Sequence, residues 1–253
     1  DVYKRQLQGH TMQRYDGELN NLHLKVVEMG GLVLDQVRLG LSAITEKNPV
    51  TTETVLEREQ EVHELEVGID EDVITVVAKR GPVARDLRVI MSVSKSVIDL
   101  QRVGDEAVRI AKVGRILYGS EHSPPGDHLL RDVRTMGHQA IATLHAARAS
   151  FDALDVTGAE ALLCRENELD IEFQSSLRRL ATFVLEDARN VGHAIHIVLL
   201  IKAIERIGDH ARNIAEYVIF MVHGEDVRHR PGSYRQPGDH AGNSGVQGDA
   251  RKH

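Results

Sequence analysis

The sequence contains one pattern twice, and this duplication limits the folds that the chain can adopt. The clearest copy is Arg-h-Gly-Asp, where h is an apolar residue, at residues 102–105 and again at 206–209, an offset of 104. Upstream, Met29-Gly30 recurs as Met136-Gly137 at an offset of 107. A deletion of three residues between the two motifs reconciles the offsets (107 − 104 = 3). The chain is therefore predicted to be a tandem duplication of one structural unit.

Each unit is predicted to consist of three helices, because apolar residues recur at steps of three or four along three successive segments. The helices of the first unit begin near Asp16, at Thr51 or Thr52, and near Pro82. The breaks Asn48-Pro49 and Gly81-Pro82 separate these helices, since proline disfavours a helical residue before it. The second unit repeats the order, with one second helix that carries Leu162 and Leu169 on a single row and a third helix over about 189–222.

The predicted fold is all-α, with two tandem, similar antiparallel three-helix bundles at 10–122 and 126–223. Residues 224–253 are predicted to form a flexible, disordered tail. This segment contains six glycines, two prolines and no apolar period, so it cannot bury enough apolar surface to offset the entropy of ordering.

Composition narrows the function. Aromatic residues make up only 4% of the chain and Trp is absent, which favours helix-on-helix packing. The net charge of −7 argues against a nucleic-acid binder, because phosphate contacts need a basic surface. A single cysteine, Cys164, excludes a disulfide framework and multi-cysteine metal sites. No apolar run approaches the roughly 18 residues of a spanning helix, so the chain is expected to be soluble and cytoplasmic, without direct membrane insertion.

The antiparallel turns bring acidic residues of neighbouring helices to the same level. Glu59 lies 22 residues before Gly81, and Asp105 lies 23 after Pro82. In the second half, Glu166 and Asp209 lie 22 and 21 residues from a turn near Ala188. The acidic and imidazole groups are further paired at i, i+4 spacing, which places both members on one helix face. These pairs are Glu59/His63, Glu166/Asp170 and Glu205/Asp209.

Crowded carboxylates on or beside apolar rows repel one another and lose solvation unless a cation neutralises them. The sequence therefore predicts one metal site in each half, with Glu59, His63 and Asp105 in the first and Glu166, Asp170, Glu205 and Asp209 in the second. Carboxylates with an occasional histidine suit Mg, Mn, Fe or Zn ions in divalent or trivalent form, and they do not choose among them.

Three features qualify this prediction. Ordinary salt bridges with Arg102, Arg206 and Arg212 are the alternative explanation for the acidic residues. Gln101 stands where the second half has Glu205, so the first site is expected to be weaker or differently occupied. The repeated glycines Gly104 and Gly208 are explained equally well by close helix packing and by room for a metal-bound water.

The sequence resembles the PhoU family of phosphate-uptake regulators. The resemblance lies in the duplicated Arg-h-Gly-Asp pattern, in the repeated Met-Gly pair, in the segment ARDLR at 84–88 and in HTMQRYDGEL at 10–19. It implies two similar three-helix bundles with multinuclear metal sites at Glu/Asp-x-x-x-Asp motifs. Those motifs correspond here to Glu205/Asp209 and, with the charge missing, to Gln101/Asp105.

The resemblance also implies a regulatory role without catalysis. Such proteins connect the ATPase subunit of the phosphate ABC transporter to the sensor histidine kinase of the phosphate two-component system, and they repress the starvation response. Self-association as a homodimer is left open. Two alternatives are a purely structural helical adaptor and a di-iron carboxylate enzyme. The enzyme is disfavoured because it would use Glu-x-x-His pairs in a four-helix core, whereas the pairs here are spaced i, i+4 and each unit is predicted to have three helices.

Overall fold

The structure, a computed structural model, describes residues 2–47, 51–119, 124–164 and 166–227, with side chains from residue 17 onward except those of 166 and 167. Seven α-helices and no strand occur in these ranges, so the predicted all-α class is confirmed. The helices are α1 (Val2–Thr45), α2 (Thr51–Arg80), α3 (Ala84–Leu117), α4 (Asp127–Ala153), α5 (Val156–Cys164), α6 (Glu166–Glu186) and α7 (Val191–His223). A single 3₁₀ turn, Ala188–Asn190, precedes α7.

The helix boundaries differ from the prediction in two places. α1 begins at Val2 and not near Asp16, because apolar periodicity marks the packed part of a helix and the helix extends beyond it until a residue breaks it. The predicted second helix of the second half is present as α5 and α6, and Arg165 between them lies outside the described residues. The predicted break at Asn48-Pro49 also lies outside them.

The two halves share one hydrophobic core. α3 packs along α7, and α1 packs on α4, while α2 covers α1 and α3 and the α5–α6 pair covers α4 and α7. Residues from both halves, such as Val33, Val97, Ala140 and Ile204, belong to the same buried cluster. The three-helix units therefore do not form separate cores. The predicted unit boundaries, 10–122 and 126–223, stay predictions.

The predicted tail starts inside this core. Gly224, with φ +77°, ends α7 in a left-handed cap, and Val227 is only 8% exposed and joins the buried cluster. Residues 228–253 lie outside the described part of the chain, so their predicted disorder stays a prediction.

The repeated Met-Gly pair lies where α1 meets α4. A β-carbon on Gly30 would lie 3.4 Å from the side chain of Arg148, and one on Gly137 would lie 3.0 Å from that of Leu41. Each glycine thus accommodates a side chain from the first helix of the other half. Both methionines are fully buried beside them. The duplication therefore reflects the contact between the halves as well as the structure within each half.

Two buried acidic residues join α3 to α7. Asp99 accepts hydrogen bonds from His210 Nδ1 at 2.7 Å and from Asn213 Nδ2 at 3.0 Å. About two turns further along α3, Glu106 pairs with Arg206 of α7 at 3.0 Å and with Arg109 at 3.2 Å. Because positions that rise along α3 pair with positions that fall along α7, the two helices are antiparallel.

Within the described residues, none of the helices combines the length and the apolar character that crossing a lipid bilayer requires.

Two glycines provide a matched test of the packing. A β-carbon on Gly40 would lie 2.9 Å from the carbonyl oxygen of Ala107, a backbone atom of α3 that cannot move aside. We expect Gly40→Ala to lower the free energy of unfolding by about 1–3 kcal/mol, the usual cost of overpacking. Gly68, inside α2, has no neighbour within 4 Å of that position, and Gly68→Ala should raise it by about 1 kcal/mol through helix propensity. Urea unfolding of both variants measures the difference, and equal effects would contradict the packing of α1 on α3.

Candidate metal centres

The second half contains a cavity of about 430 Å³ that is lined by residues of α4, α5, α6 and α7. Its polar lining includes Asp170 of α6 and Asp209 and Arg212 of α7. The remaining described lining residues are Gln139, Ala142, Thr143, Ala146, Gly158, Ala161, Leu162, Glu168, Leu169 and Gly208. The predicted ligands Asp170 and Asp209 therefore meet at one cavity, on two helices that the turn near Ala188 folds against each other.

The electrostatics at Asp209 are unfavourable for a free carboxylate. Burial raises its pKa, and the negative charges of Glu205 and Asp170 raise the pKa further. Asp209 is exposed at the cavity, so an ion from solvent can reach it. A cation bound there would neutralise the repulsion among the three carboxylates.

Glu205 has a different partner in the structure. Its Oε2 lies 2.6 Å from Lys202 Nζ, one turn earlier on α7, and its side chain is 12% exposed. The ammonium of Lys202 also lies 5.2 Å from the ring centroid of Phe173, a favourable cation–π position. Sequence reasoning missed Lys202, although the i, i+3 spacing from Glu205 is a usable signal. The negative charge of Glu205 thus acts on Asp209, while the Glu205 carboxylate itself forms a salt bridge with Lys202.

In the first half, Glu59, His63 and Asp105 lie on facing helices α2 and α3. Glu59 Oε1 is 3.4 Å from His63 Nε2, and the Glu59 side chain is 13% exposed. Burial raises the pKa of Glu59, a hydrogen bond from Gln36 and the nearby His63 lower it, and Asp105 adds to the rise. Glu59 and Asp105 were predicted to lie at the same level of their two helices. They are near enough for the charge of Asp105 to affect the pKa of Glu59.

Gln36 of α1 is the first-half residue that sequence reasoning missed. It is 0% exposed, and its Nε2 donates a hydrogen bond of 2.6 Å to Glu59 Oε2. A fully polar side chain on the buried row of α1, beside Val33 and Val37, was the available signal.

The repeated glycines allow close packing at both sites. A β-carbon on Gly104 would lie 3.0 Å from Glu59 Oε2 and 3.1 Å from Gln36 Oε1. One on Gly208 would overlap Leu169 Cδ2. Each glycine therefore lets the second helix of its half approach the third.

The alternative explanation was that Arg102, Arg206 and Arg212 form ordinary salt bridges with the predicted metal ligands. Only one of these three arginines does so. Arg102 lies 3.8 Å from Asp105, whereas Arg206 pairs with Glu106 and Arg212 lies 3.6 Å from Glu216. Arg206 and Arg212 therefore contact carboxylates outside the predicted ligand set, and the cation that pairs with a predicted ligand of the second half is Lys202, at Glu205.

Among the described side chains, no three histidine, cysteine or acidic groups converge closely enough to hold a metal ion. All three first-half candidates are described, so they are not assembled around one point. The side chain of Glu166, at the start of α6, lies outside the described set. Asp170, Glu205 and Asp209 of the second half are described too, and they do not converge on one point either. The second half has donor oxygens beside a cavity, and the metal sites of both halves stay predictions.

These features define a class of protein: a duplicated three-helix bundle with one acidic site per half. The chain belongs to the PhoU family, because the PhoU domain matches residues 26–113 and 133–218, once in each half. The resemblance noted in the sequence is therefore confirmed.

Two relatives and one solved structure show the extent of the similarity. The phosphate-specific transport system accessory protein PhoU homolog of Pseudomonas putida is 37% identical over 228 residues, which cover 90% of this chain and 88% of the relative. The phosphate-specific transport system accessory protein PhoU of Escherichia coli (strain K12) is 31% identical over 223 residues, which cover 88% and 91%. The crystal structure of PhoU from Pseudomonas aeruginosa has a TM-score of 0.78 at 36% identity, covering 83% of this chain and 100% of that chain.

The raised pKa values predict a pH-dependent stability in the metal-free protein. The ordinary pKa values are 4.5 for Glu59 and 3.8 for Asp209, and the folded protein raises both. It therefore binds these protons more tightly than the unfolded chain, and the resulting stability is complete below the ordinary values and is lost as pH rises through the folded values. Glu59→Gln and Asp209→Asn should accordingly raise Tm relative to the wild type at pH 7, and the advantage should vanish below about pH 4.

Thermal unfolding in EDTA from about pH 3.5 to about pH 8, which runs from near the ordinary carboxyl pKa values to well above them, measures this effect. Glu71→Gln, on the exposed side of α2, is the control and should follow the wild type. A constant difference in Tm at every pH would contradict the assignment.

Proposed function

We propose that this chain is a cytoplasmic accessory regulator of phosphate uptake that binds a metal cation in its second half. It acts as a negative regulator of the phosphate-starvation response and performs no catalysis. Its contacts are with the ATPase subunit of the phosphate ABC transporter and with the sensor histidine kinase of the phosphate two-component system. The match of the PhoU domain to both halves carries this proposal, and the names of the relatives as accessory proteins of phosphate-specific transport support it.

The metal part of the proposal is supported by the cavity beside Asp170 and Asp209. The oxygen donors suit Mg, Mn, Fe or Zn, and such an ion would supply the positive charge that the three carboxylates lack. The further proposed ligands are Glu205 and Glu166, the first residue of α6. Binding through Glu205 requires the carboxylate to leave Lys202, so the lysine competes with the ion.

A purely structural helical adaptor is the second candidate. The pairing of Lys202 with Glu205 favours it, because a carboxylate that lysine already neutralises needs no metal.

Metal titration separates the two candidates. We expect the EDTA-treated protein, purified without a metal-affinity tag, to bind Mn²⁺ and Zn²⁺ in calorimetric titrations. Asp209→Asn should weaken binding by at least about tenfold, because losing even a residue that hydrogen-bonds to a metal ligand lowers metal affinity by that factor. Lys202→Met keeps an apolar side chain near Phe173 and frees Glu205, so it should tighten binding. Unchanged affinity in Asp209→Asn would exclude a second-half site.

The regulatory role has its own test. We expect the wild-type chain, expressed in a bacterium that lacks its own PhoU, to restore repression of alkaline phosphatase in high phosphate. Phosphatase activity is the measurement, and an unrelated protein expressed from the same vector is the control. If phosphatase stays high with the folded wild-type chain, the negative-regulator role is wrong. If Asp209→Asn loses metal and still represses, the structural adaptor is the better description.

A further inference from the structure

The pair formed by α3 and α7 has one side that no other described helix covers. Among the described residues, α3 contacts α1, α2 and α7, whereas α7 contacts α3, α4, α5, α6 and the 3₁₀ turn before it. Since α1 and α4 also contact each other, they lie on the same side of the pair. The groove between α3 and α7 is therefore left open by the described helices on the opposite side.

Exposed apolar side chains gather at one end of this groove. Arg206 of α7 pairs with Glu106 of antiparallel α3. Position 116, ten residues after Glu106, therefore lies level with position 196, ten residues before Arg206, and this places Ile116 beside Ile195 and Leu199. The α7 residues at 191, 195, 198 and 199 have the i, i+4, i+7 and i+8 spacing of one helix face. We call apolar patch the five residues Ile116, Val191, Ile195, Val198 and Leu199, each of which is between 36% and 59% exposed.

The helical segments that carry the apolar patch contain no acidic residue. Residues 107–117 of α3 include the basic residues Arg109, Lys112 and Arg115, and residues 191–204 of α7 include Lys202. Arg109 lies two turns before Ile116 on the same face of α3. Lys112 is exposed and has no ion pair among the described side chains. A chain with a net charge of −7 therefore has a local excess of positive charge beside exposed apolar surface.

Other exposed apolar residues lie in a different setting. Val67 and Ile74 of α2 are exposed, but the three acidic residues at 70–72 lie between them. Single apolar side chains among charges are ordinary on a protein surface. A contiguous group of five beside basic residues is typical of an interaction site.

We propose that the apolar patch is the docking surface for an acidic, amphipathic helix of a partner protein. Such a helix would lie in the groove between α3 and α7, as α2 lies against α1 and α3. Its apolar face would contact Ile116, Ile195 and Leu199, and its carboxylates would lie near Arg109 and Lys112. A helix fits this surface better than a lipid bilayer does, because the patch lacks the aromatic side chains that anchor proteins at membrane interfaces. The inference goes beyond the proposed function and does not depend on the metal sites.

A synthetic helix tests the inference. The probe is a fluorescein-labelled peptide of about six helical turns, with leucine at positions a and d of each heptad and glutamate at most outward positions. A second peptide has lysine in place of each glutamate. Fluorescence anisotropy with the full-length chain measures binding. We expect the glutamate peptide to bind saturably and more weakly as salt rises, because salt screens exposed charges, and the lysine peptide not to bind.

Substitutions locate the binding on the surface. Ile195→Glu should weaken the affinity for the glutamate peptide by at least about tenfold, as expected for a central apolar contact. Lys112→Glu should weaken it severalfold and reduce its salt dependence. The matched controls are Ile74→Glu and Lys79→Glu, both at exposed positions of α2, and both should bind the peptide as the wild type does.

The inference is overturned if the glutamate peptide does not bind, if the lysine peptide binds equally well, or if the α2 controls lose as much affinity as the patch variants. It is also overturned if the patch has another occupant. Phosphatidylglycerol vesicles that bind the wild type but not Ile195→Glu would assign the patch to a membrane. Sedimentation velocity that shows a dimer of the wild type and a monomer of Ile195→Glu would assign it to a second copy of the chain.

Folding is checked by circular dichroism melts. Ile195 and Lys112 are exposed in the wild type, so both variants should keep its Tm. If Ile195→Glu does not fold, Leu199→Glu takes its place with the same expected loss of affinity, and unchanged affinity in that variant overturns the inference.

Discussion

The antiparallel contact between α3 and α7 is the constraint on which the rest of the structure depends. Asp99 and Glu106 are both almost fully buried there, and each meets its polar partners on the other half. A buried polar group that loses its hydrogen-bond partner costs about 1–3 kcal/mol, and a charged one costs more, so the two third helices have one favourable register. In that register Gly104 packs against Glu59 of α2, and Gly208 packs against Leu169 of α6.

The acidic sites oppose the stability of the fold. Glu59 and Asp209 both have raised pKa values because burial and neighbouring carboxylates disfavour their charged forms. A group that lowers stability at neutral pH and is surrounded by others of the same sign is typical of a functional site. The unfavourable charge of these carboxylates is compensated differently in each half. In the first half, the amide of Gln36 donates a hydrogen bond to Glu59. In the second half, Lys202 neutralises Glu205, and the cavity leaves Asp209 accessible.

Duplication therefore produced one scaffold with two unequal sites. The buried rows of the repeats are nearly interchangeable, as the matched positions Met29 and Met136 or Val37 and Leu144 show. The positions around the acidic residues are not, because Gln36, Leu39 and Val108 are replaced by Thr143, Ala146 and Arg212. Thr143, Ala146 and Arg212 all line the cavity of the second half.

The sequence by itself determined the helical class, the tandem repeat and the family, and it placed Glu59 level with Asp105. These follow from the helical period and from counting residues to a turn, which are local properties of the chain. Only the tertiary structure decided that the halves share one core, that Gln36 faces Glu59, that Lys202 holds Glu205, and that a cavity opens beside Asp170 and Asp209. Each of these depends on which side chains meet across helices far apart in sequence, and the volume left between them is set by several residues together.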